Sequence, residues 1–196
     1  ESMARGSELF TGAALDGVPQ EISDDEVAAL PDLLSATVLP WKPDTVWFAS
    51  SLQLAGSRFD ACSRTILNRV QDQAAELGLR FNLGIETEFF ALRRGENGDL
   101  MPASATDSLA KPSYDLRGLL DNFDWLDELV QAMNSLGWGV YSFDHEDGNG
   151  QFETDFNYAD GLVCADRVTF FRLMAREICR KHGLIASFMP KPFADR

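Results

Sequence analysis

Residues Arg80 to Leu92 read R-F-N-L-G-I-E-T-E-F-F-A-L, a run rich in β-formers that alternate with period two. Successive side chains of a strand point to opposite faces, so Glu86 and Glu88 share one face while Ile85, Thr87 and Phe89 share the other. The two carboxylates then stand about 7 Å apart by strand rise. Taken alone, the pair fits a solvated sheet face. A second stretch, Asp144 to Glu153, reads D-H-E-D-G-N-G-Q-F-E and places Glu146 at the end of one strand and Glu153 in the next, across a glycine-containing loop. Four carboxylates on neighbouring strands repel one another unless cations neutralise them. All-oxygen ligands suit hard ions such as Mg²⁺ or Mn²⁺, and the balance tips from a plain acidic face toward a divalent-metal site.

Outward from these strands the chain alternates covering helices with further β segments. Asp44 to Leu52 (D-T-V-W-F-A-S-S-L) predicts a strand, and Arg64 to Leu77 places Ile66, Leu67, Val70, Ala74 and Leu77 on one helical face before Gly78. Asp115 to Leu136 repeats apolar residues at Leu119, Leu120, Phe123, Leu126, Leu129, Val130 and Met133, which predicts one long helix stopped by Gly137. Trp138 to Phe143 and Gln151 to Tyr158 predict two strands, Asp160 to His182 an amphipathic helix ending at Gly183, and Leu184 to Met189 a last short strand. Residues 1–40 carry several glycines and prolines and the acidic run Glu21 to Glu26, and are expected to be mostly loop. This mixture of strands and covering helices is an α+β class.

Composition narrows the function. The chain has 196 residues, 45% of them hydrophobic, and 17 Lys plus Arg against 31 Asp plus Glu give a net charge of −14. Such a field repels phosphate backbones and anionic lipid, so neither nucleic acid nor a membrane is an expected partner. No apolar run approaches the ~20 residues of a membrane span, and no signal pattern opens the chain, so a cytoplasmic protein is expected. Cys62, Cys164 and Cys179 form no C-x-x-C pair and read as thiols in a reducing compartment. There is no phosphate-loop, dinucleotide or nucleophile-elbow motif, and two histidines are too few for a multi-histidine zinc site. His182 sits at a helix end, where a capping role is expected. His145 either orients Glu146, contacts a bound phosphate, or makes a structural hydrogen bond.

Three ordered motifs together resemble the glutamine synthetase superfamily: the E-x-E strand at Glu86 and Glu88, H-E-D-G-N-G-Q-F-E from His145 to Glu153, and H-G-L-I-A-S-F-M-P-K-P from His182 to Pro192. Upstream, A-L-P-D at Ala29 to Asp32 and L-P-W at Leu39 to Trp41 look like the start of that family's catalytic domain. The central motif is most similar to the type III glutamate–ammonia ligase branch, which includes γ-glutamylmethylamide synthetases. The resemblance implies a curved antiparallel sheet carrying carboxylate metal ligands and covered by helices. Residues 41–196 would be the N-terminal half of the catalytic domain, behind an entry segment at 1–40. A β-grasp domain and the C-terminal catalytic half would lie outside this chain.

The function implied is an ATP-dependent ligase that phosphorylates the γ-carboxylate of L-glutamate and amidates it with ammonia or methylamine, using two or three Mg²⁺ or Mn²⁺ ions. By motif position Glu88, Glu146 and Glu153 would hold the ion nearer glutamate, and Glu86 would help hold the ion nearer the ATP phosphates. His145 would lie at the substrate. Thr11, in F-T-G-A-A, stands where the family has the aspartate of an ammonium pocket. The partners implied are ATP, glutamate, the amine and further copies of the chain in a double ring with active sites between subunits. The rival reading is a non-catalytic homologue serving as a structural or regulatory subunit.

Overall fold

In the computed structural model the described residues are 8–10, 21 and 26–193. Thr11 lies outside them. The chain divides into two compact units, Glu1–Asn82 with Asp160–Asp166, and Leu83–Ala159 with Arg167–Arg196.

The first unit holds β1 (Glu8–Phe10), β2 (Val27–Pro31), a 3₁₀ turn (Leu33–Ser35), β3 (Thr37–Leu39), β4 (Lys42–Trp47), β5 (Ser50–Leu54), β6 (Ser57–Arg58) and α1 (Ser63–Glu76). Four of these strands form an antiparallel sheet in the order β1-β2-β5-β6, and β3 pairs with β4. The expectation of mostly loop over 1–40 is therefore corrected for the described part: pairing with β5, twenty residues further on, makes a strand of V-A-A-L-P. The single strand expected over Asp44 to Leu52 is two, β4 and β5, separated at Phe48 and Ala49. Arg64 ties the unit together, reaching Asp32 at 2.6 Å, Asp166 at 3.0 Å and the Ser51 hydroxyl at 3.1 Å. Helix α1 has the expected period, and Ile66, Val70 and Leu77 remain 40%, 53% and 77% exposed along it.

Continuing along the chain come β7 (Asn82–Leu83), β8 (Glu86–Arg94), β9 (Leu100–Pro102), α2 (Leu116–Asp121), α3 (Phe123–Ser135), β10 (Val140–His145), β11 (Gln151–Phe156), β12 (Ala159–Asp160), α4 (Gly161–Lys181) and β13 (Ile185–Ser187). The second unit is built on an antiparallel sheet ordered β10-β11-β8-β13, with β9 also paired to β8. Its core lies on one face. Phe89 of β8 and Phe152 of β11 are buried against Trp125 of α3, with ring centroids 5.8 and 5.1 Å away, and Phe171 of α4 meets Phe89 at 5.7 Å. Leu126, Leu129, Met133, Met174 and Ile178 complete it. Cys164 and Cys179 of α4 are both fully buried, and no cysteine is in a disulfide.

The long helix expected from Asp115 to Leu136 is broken at Asn122 (φ −110°, ψ 6°). The Asn122 side chain donates to the Gly118 carbonyl at 2.8 Å and accepts from Trp125 Nε1 at 3.0 Å, a local bonding pattern that competes with helix continuation. The break turns Leu120 and Phe123 outward (58% and 42% exposed) while Trp125, Leu126, Leu129, Ala132 and Met133 face the sheet. Gly137 closes α3 at φ +71°, with its amide on the Asn134 carbonyl and that of Trp138 on Met133, a closure the sequence signal predicts; α1 and α4 end the same way at Gly78 and Gly183. His182 follows the last residue of α4, with its amide on the Ile178 and Cys179 carbonyls. It pairs with Glu128 of α3 at 2.8 Å, alongside Lys181.

Candidate metal centre

The face of the second sheet away from α3 and α4 is acidic because strand alternation makes it so. Along β11 Phe152, Thr154 and Phe156 are buried, leaving Gln151, Glu153 and Asp155 on the other face. Along β8 Thr87 and Phe89 are buried, leaving Glu86 and Glu88. Register then decides which of these are neighbours: Glu153 stands opposite Glu88 on one side and Asp144 of β10 on the other, while Asp155 stands opposite Glu86. Directly opposed residues of an antiparallel pair have Cβ atoms only about 4.5–5.5 Å apart. One row across three strands is thus Asp144–Glu153–Glu88, and Asp155–Glu86 is the next.

Glu146 joins the group from the turn after β10. Its amide donates to the Gln151 carbonyl at 2.9 Å, and its carboxylate accepts from the Asp147 amide at 3.1 Å. Gln151 bridges to β8 by donating through Nε2 to the Glu88 carboxylate. The four glutamates predicted from the motifs therefore lie on one face of one sheet. Two more carboxylates, Asp144 and Asp155, lie among them.

The crowding shows in the protonation equilibria. Partial burial, followed by the charge and hydrogen bond of Asp155 and the charges of Glu146 and Glu86, pushes the Glu153 carboxyl up to about 7. Asp155 is raised by burial and by Glu86 and Asp144, and Glu146 by burial and by Glu88, Asp147 and Asp144. Asp155 Oδ1 is buried without a hydrogen-bond partner. A set of hard oxygen donors that hold one another's protons on is complementary to a divalent cation, which would remove the repulsion that raises them. The side chains are not drawn together around a point: among the described residues no three His, Cys, Asp or Glu side chains form a ready metal-binding group. The register sets their neighbourhood, and within it the Glu153 and Asp155 side chains share a hydrogen bond.

His145 lies on the opposite side of β10 from the acidic face. Its ring is buried, packs on Phe152 at 4.9 Å between centroids, and has both nitrogens engaged: Nε2 with Asp107 Oδ2 at 2.8 Å and Nδ1 with the Glu146 carbonyl at 2.9 Å. Both partners offer acceptor oxygens, and the hydrogen bond and charge of Asp107 hold the ring's pKa above its usual value against the effect of burial. Of the roles open to His145, the structure shows the structural hydrogen bond. A ring so occupied has no nitrogen left for a substrate phosphate. Asp107 itself carried no sequence signal, since it lies in the irregular segment between β9 and α2. Asp144 and Asp155 did carry one, each two residues from a predicted ligand on the same strand face.

Residues 60–196 match the family model described as "Glutamine synthetase, catalytic domain". The chain belongs to the glutamine synthetase family. It is 37% identical over 193 residues to a glutamine synthetase of Rhizobium meliloti, a match that covers 97% of this chain and 43% of the relative. It is 38% identical over 188 residues to a glutamate–methylamine ligase of Methyloversatilis universalis, with coverages of 95% and 42%. A solved structure described as a "GmaS/ADP complex" superposes with a TM-score of 0.89 at 41% identity, over 98% of this chain and 44% of that one. A second, a "novel glutamine synthase homolog", shares the fold with a TM-score of 0.81 at 22% identity over 99% of this chain and 46% of that one. The fold is that of the glutamine synthetase catalytic domain, and the chain spans less than half the length of the relatives it matches.

Proposed function

We propose that the protein containing this chain is an ATP-dependent glutamate–amine ligase. It phosphorylates the γ-carboxylate of L-glutamate with ATP and then amidates the acyl phosphate with ammonia, giving glutamine, or with methylamine, giving γ-glutamylmethylamide. The observation that carries this reading is the acidic row on β8, β10 and β11, whose members match the family's motif order. In it, Glu88, Glu146 and Glu153 would hold the divalent ion nearer glutamate, and Glu86 would help hold the one nearer the ATP phosphates. Bound there, Mg²⁺ or Mn²⁺ would supply positive charge against which two anions, a nucleotide and a carboxylate, can approach. What the chain supplies is placement: the ladder fixes Glu86, Glu88 and Glu153 on a rigid sheet, and Gln151 orients Glu88 through its amide.

The two amines remain paired in this reading because a glutamine synthetase and a glutamate–methylamine ligase match the chain equally well. Thr11 is proposed to line the amine pocket, where a neutral methyl-bearing side chain in place of a carboxylate favours methylamine over ammonium. The domain reading carries forward as part of the proposal: residues 41–196 form the N-terminal half of the catalytic domain behind an entry segment at 1–40. So does a cytoplasmic homo-oligomer arranged as a double ring. Among the described residues no helix is long and apolar enough to cross a membrane.

The test is phosphate release and γ-glutamyl product formation by the full-length protein with glutamate, ATP and Mg²⁺, with ammonia and with methylamine in separate arms. Amine-dependent release of phosphate in either arm is the expected result. Its absence in both, from folded oligomeric protein, would overturn the reading.

A further inference from the structure

We propose that Asp107 is a positioning residue, which fixes the turn 146–151 from behind the sheet and thereby sets where Glu146 stands relative to Glu88. The inference deepens the ligase reading and rests on it. Its starting point is a difference among the carboxylates. Glu86, Glu88, Asp144, Glu153 and Asp155 are borne by paired strands, so ladder hydrogen bonds place them. Glu146 alone follows the last residue of β10: one backbone bond, from its amide to the Gln151 carbonyl, ties it to β11, and the rest of its placement falls to the turn, which needs an anchor of its own.

Asp107 is that anchor. Its side chain is 2% exposed and bonds three successive parts of the segment. Oδ2 accepts from His145 Nε2 at 2.8 Å and from the Gly150 amide at 2.5 Å, and Oδ1 accepts from Asn149 Nδ2 at 2.9 Å. The His145 ring passes the connection on, donating through Nδ1 to the carbonyl of Glu146 at 2.9 Å. Asn149 also donates to the Leu109 carbonyl at 3.0 Å, so both ends of the turn are tied to residues 107–109. Gly150 is pressed against the sheet: a Cβ there would meet the Ala91 carbonyl at 3.0 Å and Pro102 Cα at 3.2 Å. Inside the turn, Gly148 donates through its amide to Gln151 Oε1 at 3.0 Å, and Gln151 Nε2 donates to Glu88. One carboxylate outside the acidic face thus holds the backbone on which Glu146 sits and, through Gln151, the orientation of Glu88.

The test uses the full-length protein with Asp107→Asn, which keeps the shape but puts an NH₂ among the three donors that the carboxylate accepts. The readouts are Mn²⁺ binding followed by the electron paramagnetic resonance of the free ion, and velocity as a function of Mg²⁺. Second-layer partners of metal ligands typically set affinity by 10–100-fold, so Mn²⁺ binding is expected to weaken about tenfold or more. The Mg²⁺ concentration for half-maximal velocity should rise by a similar factor, with kcat recovering at saturating Mg²⁺. A variant with a lowered melting midpoint but wild-type Mn²⁺ affinity in its folded fraction would overturn the proposal, since a merely structural role predicts that result. Should Asp107→Asn yield no folded protein, Asn149→Ala removes one arm without stranding a buried charge, and unchanged Mn²⁺ affinity in it overturns the proposal equally. If wild-type protein binds Mn²⁺ yet forms no γ-glutamyl product, the ligase reading falls while the Mn²⁺ comparison still decides the role of Asp107.

Discussion

Replacing Gly118 by alanine should destabilise the protein, although the same change in an unobstructed helix would stabilise it. In α2 the gain from removing a glycine is about 1 kcal/mol. Against it stands the space: a Cβ on Gly118 would lie 2.8 Å from His145 Cδ2, 3.2 Å from Nε2 and 3.2 Å from Asp115 Oδ2. Carbon–carbon contact is comfortable at about 3.5–4.0 Å, so the methyl enters the ring edge by roughly 0.7 Å or more. The ring cannot retreat, because its side chain is fully buried, both nitrogens are bonded, and Phe152 packs beside it. Overpacking of this kind costs about 1–3 kcal/mol, which leaves a net loss of about 1 kcal/mol. Native-state hydrogen exchange on the full-length protein reads this as roughly fivefold faster exchange at the amides of α2 and the end of β10, where opening is local. The melting midpoint should fall as well, and Gly118→Val should lower it further. A midpoint raised by Gly118→Ala would refute the reasoning, because it would mean that His145 is not held where its two hydrogen bonds place it.

Four other outcomes follow from the acidic face, the ion pairs of the first unit and Thr11. Excess Mg²⁺ should raise the melting midpoint of the full-length protein relative to chelator, and Glu88→Ala should abolish both that difference and γ-glutamyl product formation. Without divalent ions, stability should decline as pH rises from about 5 to 8, because the raised Glu153 carboxyl keeps its proton in the folded state and loses that advantage on ionising near 7; a midpoint that Glu153→Gln leaves equally pH-sensitive would exclude Glu153 as the source. Asp32 behaves oppositely: its hydrogen bond to Arg64 lowers its pKa, so its stabilisation is present above the ordinary aspartate range near pH 4 and disappears as pH falls through the lowered value, and Asp32→Asn should flatten that acid limb of the melting curve. Thr11→Asp should shift the ratio of kcat/KM for ammonia over methylamine upward by a factor within the 10–200 range that about 1–3 kcal/mol of pocket discrimination allows, and an unchanged ratio would place Thr11 outside the amine pocket.

How far the sequence could be read depended on whether a feature was set by backbone period or by contacts distant in the chain. Alternation is a property of any strand, so the shared face of Glu86 and Glu88 was legible from seven residues, and Asp155 was legible by the same rule applied to Glu153. Helix ends at Gly78, Gly137 and Gly183 were legible because the closing glycine is local chemistry. The break at Asn122 was not, since the apolar period runs through it and only the side chain's bonds to Gly118 and Trp125 reveal the interruption. The strand character of Val27–Pro31 was hidden for a related reason: a short run ending in proline becomes a strand by pairing with β5, which no local signal announces.

The same division runs through the candidate site and explains why its least legible part is the one most open to disruption. Carboxylates on β8 and β11 inherit their positions from a ladder of many backbone hydrogen bonds, and no single side-chain substitution undoes a ladder. Glu146 inherits its position from a turn whose anchors are Asp107, 38 residues before His145, and the imidazole between them. Those anchors are polar groups in an apolar setting, where each bond is strong because water is excluded and each loss is costly because nothing replaces it. Leaving Asp107 or His145 buried without the other would strand a charge, so substitutions there should perturb the geometry of the acidic face more than substitution of an exposed residue nearer to it, such as Asp147. Distance from the carboxylates is therefore a poor guide to influence on them; the path of hydrogen bonds from Asp107 to Glu146 and Glu88 is the better one.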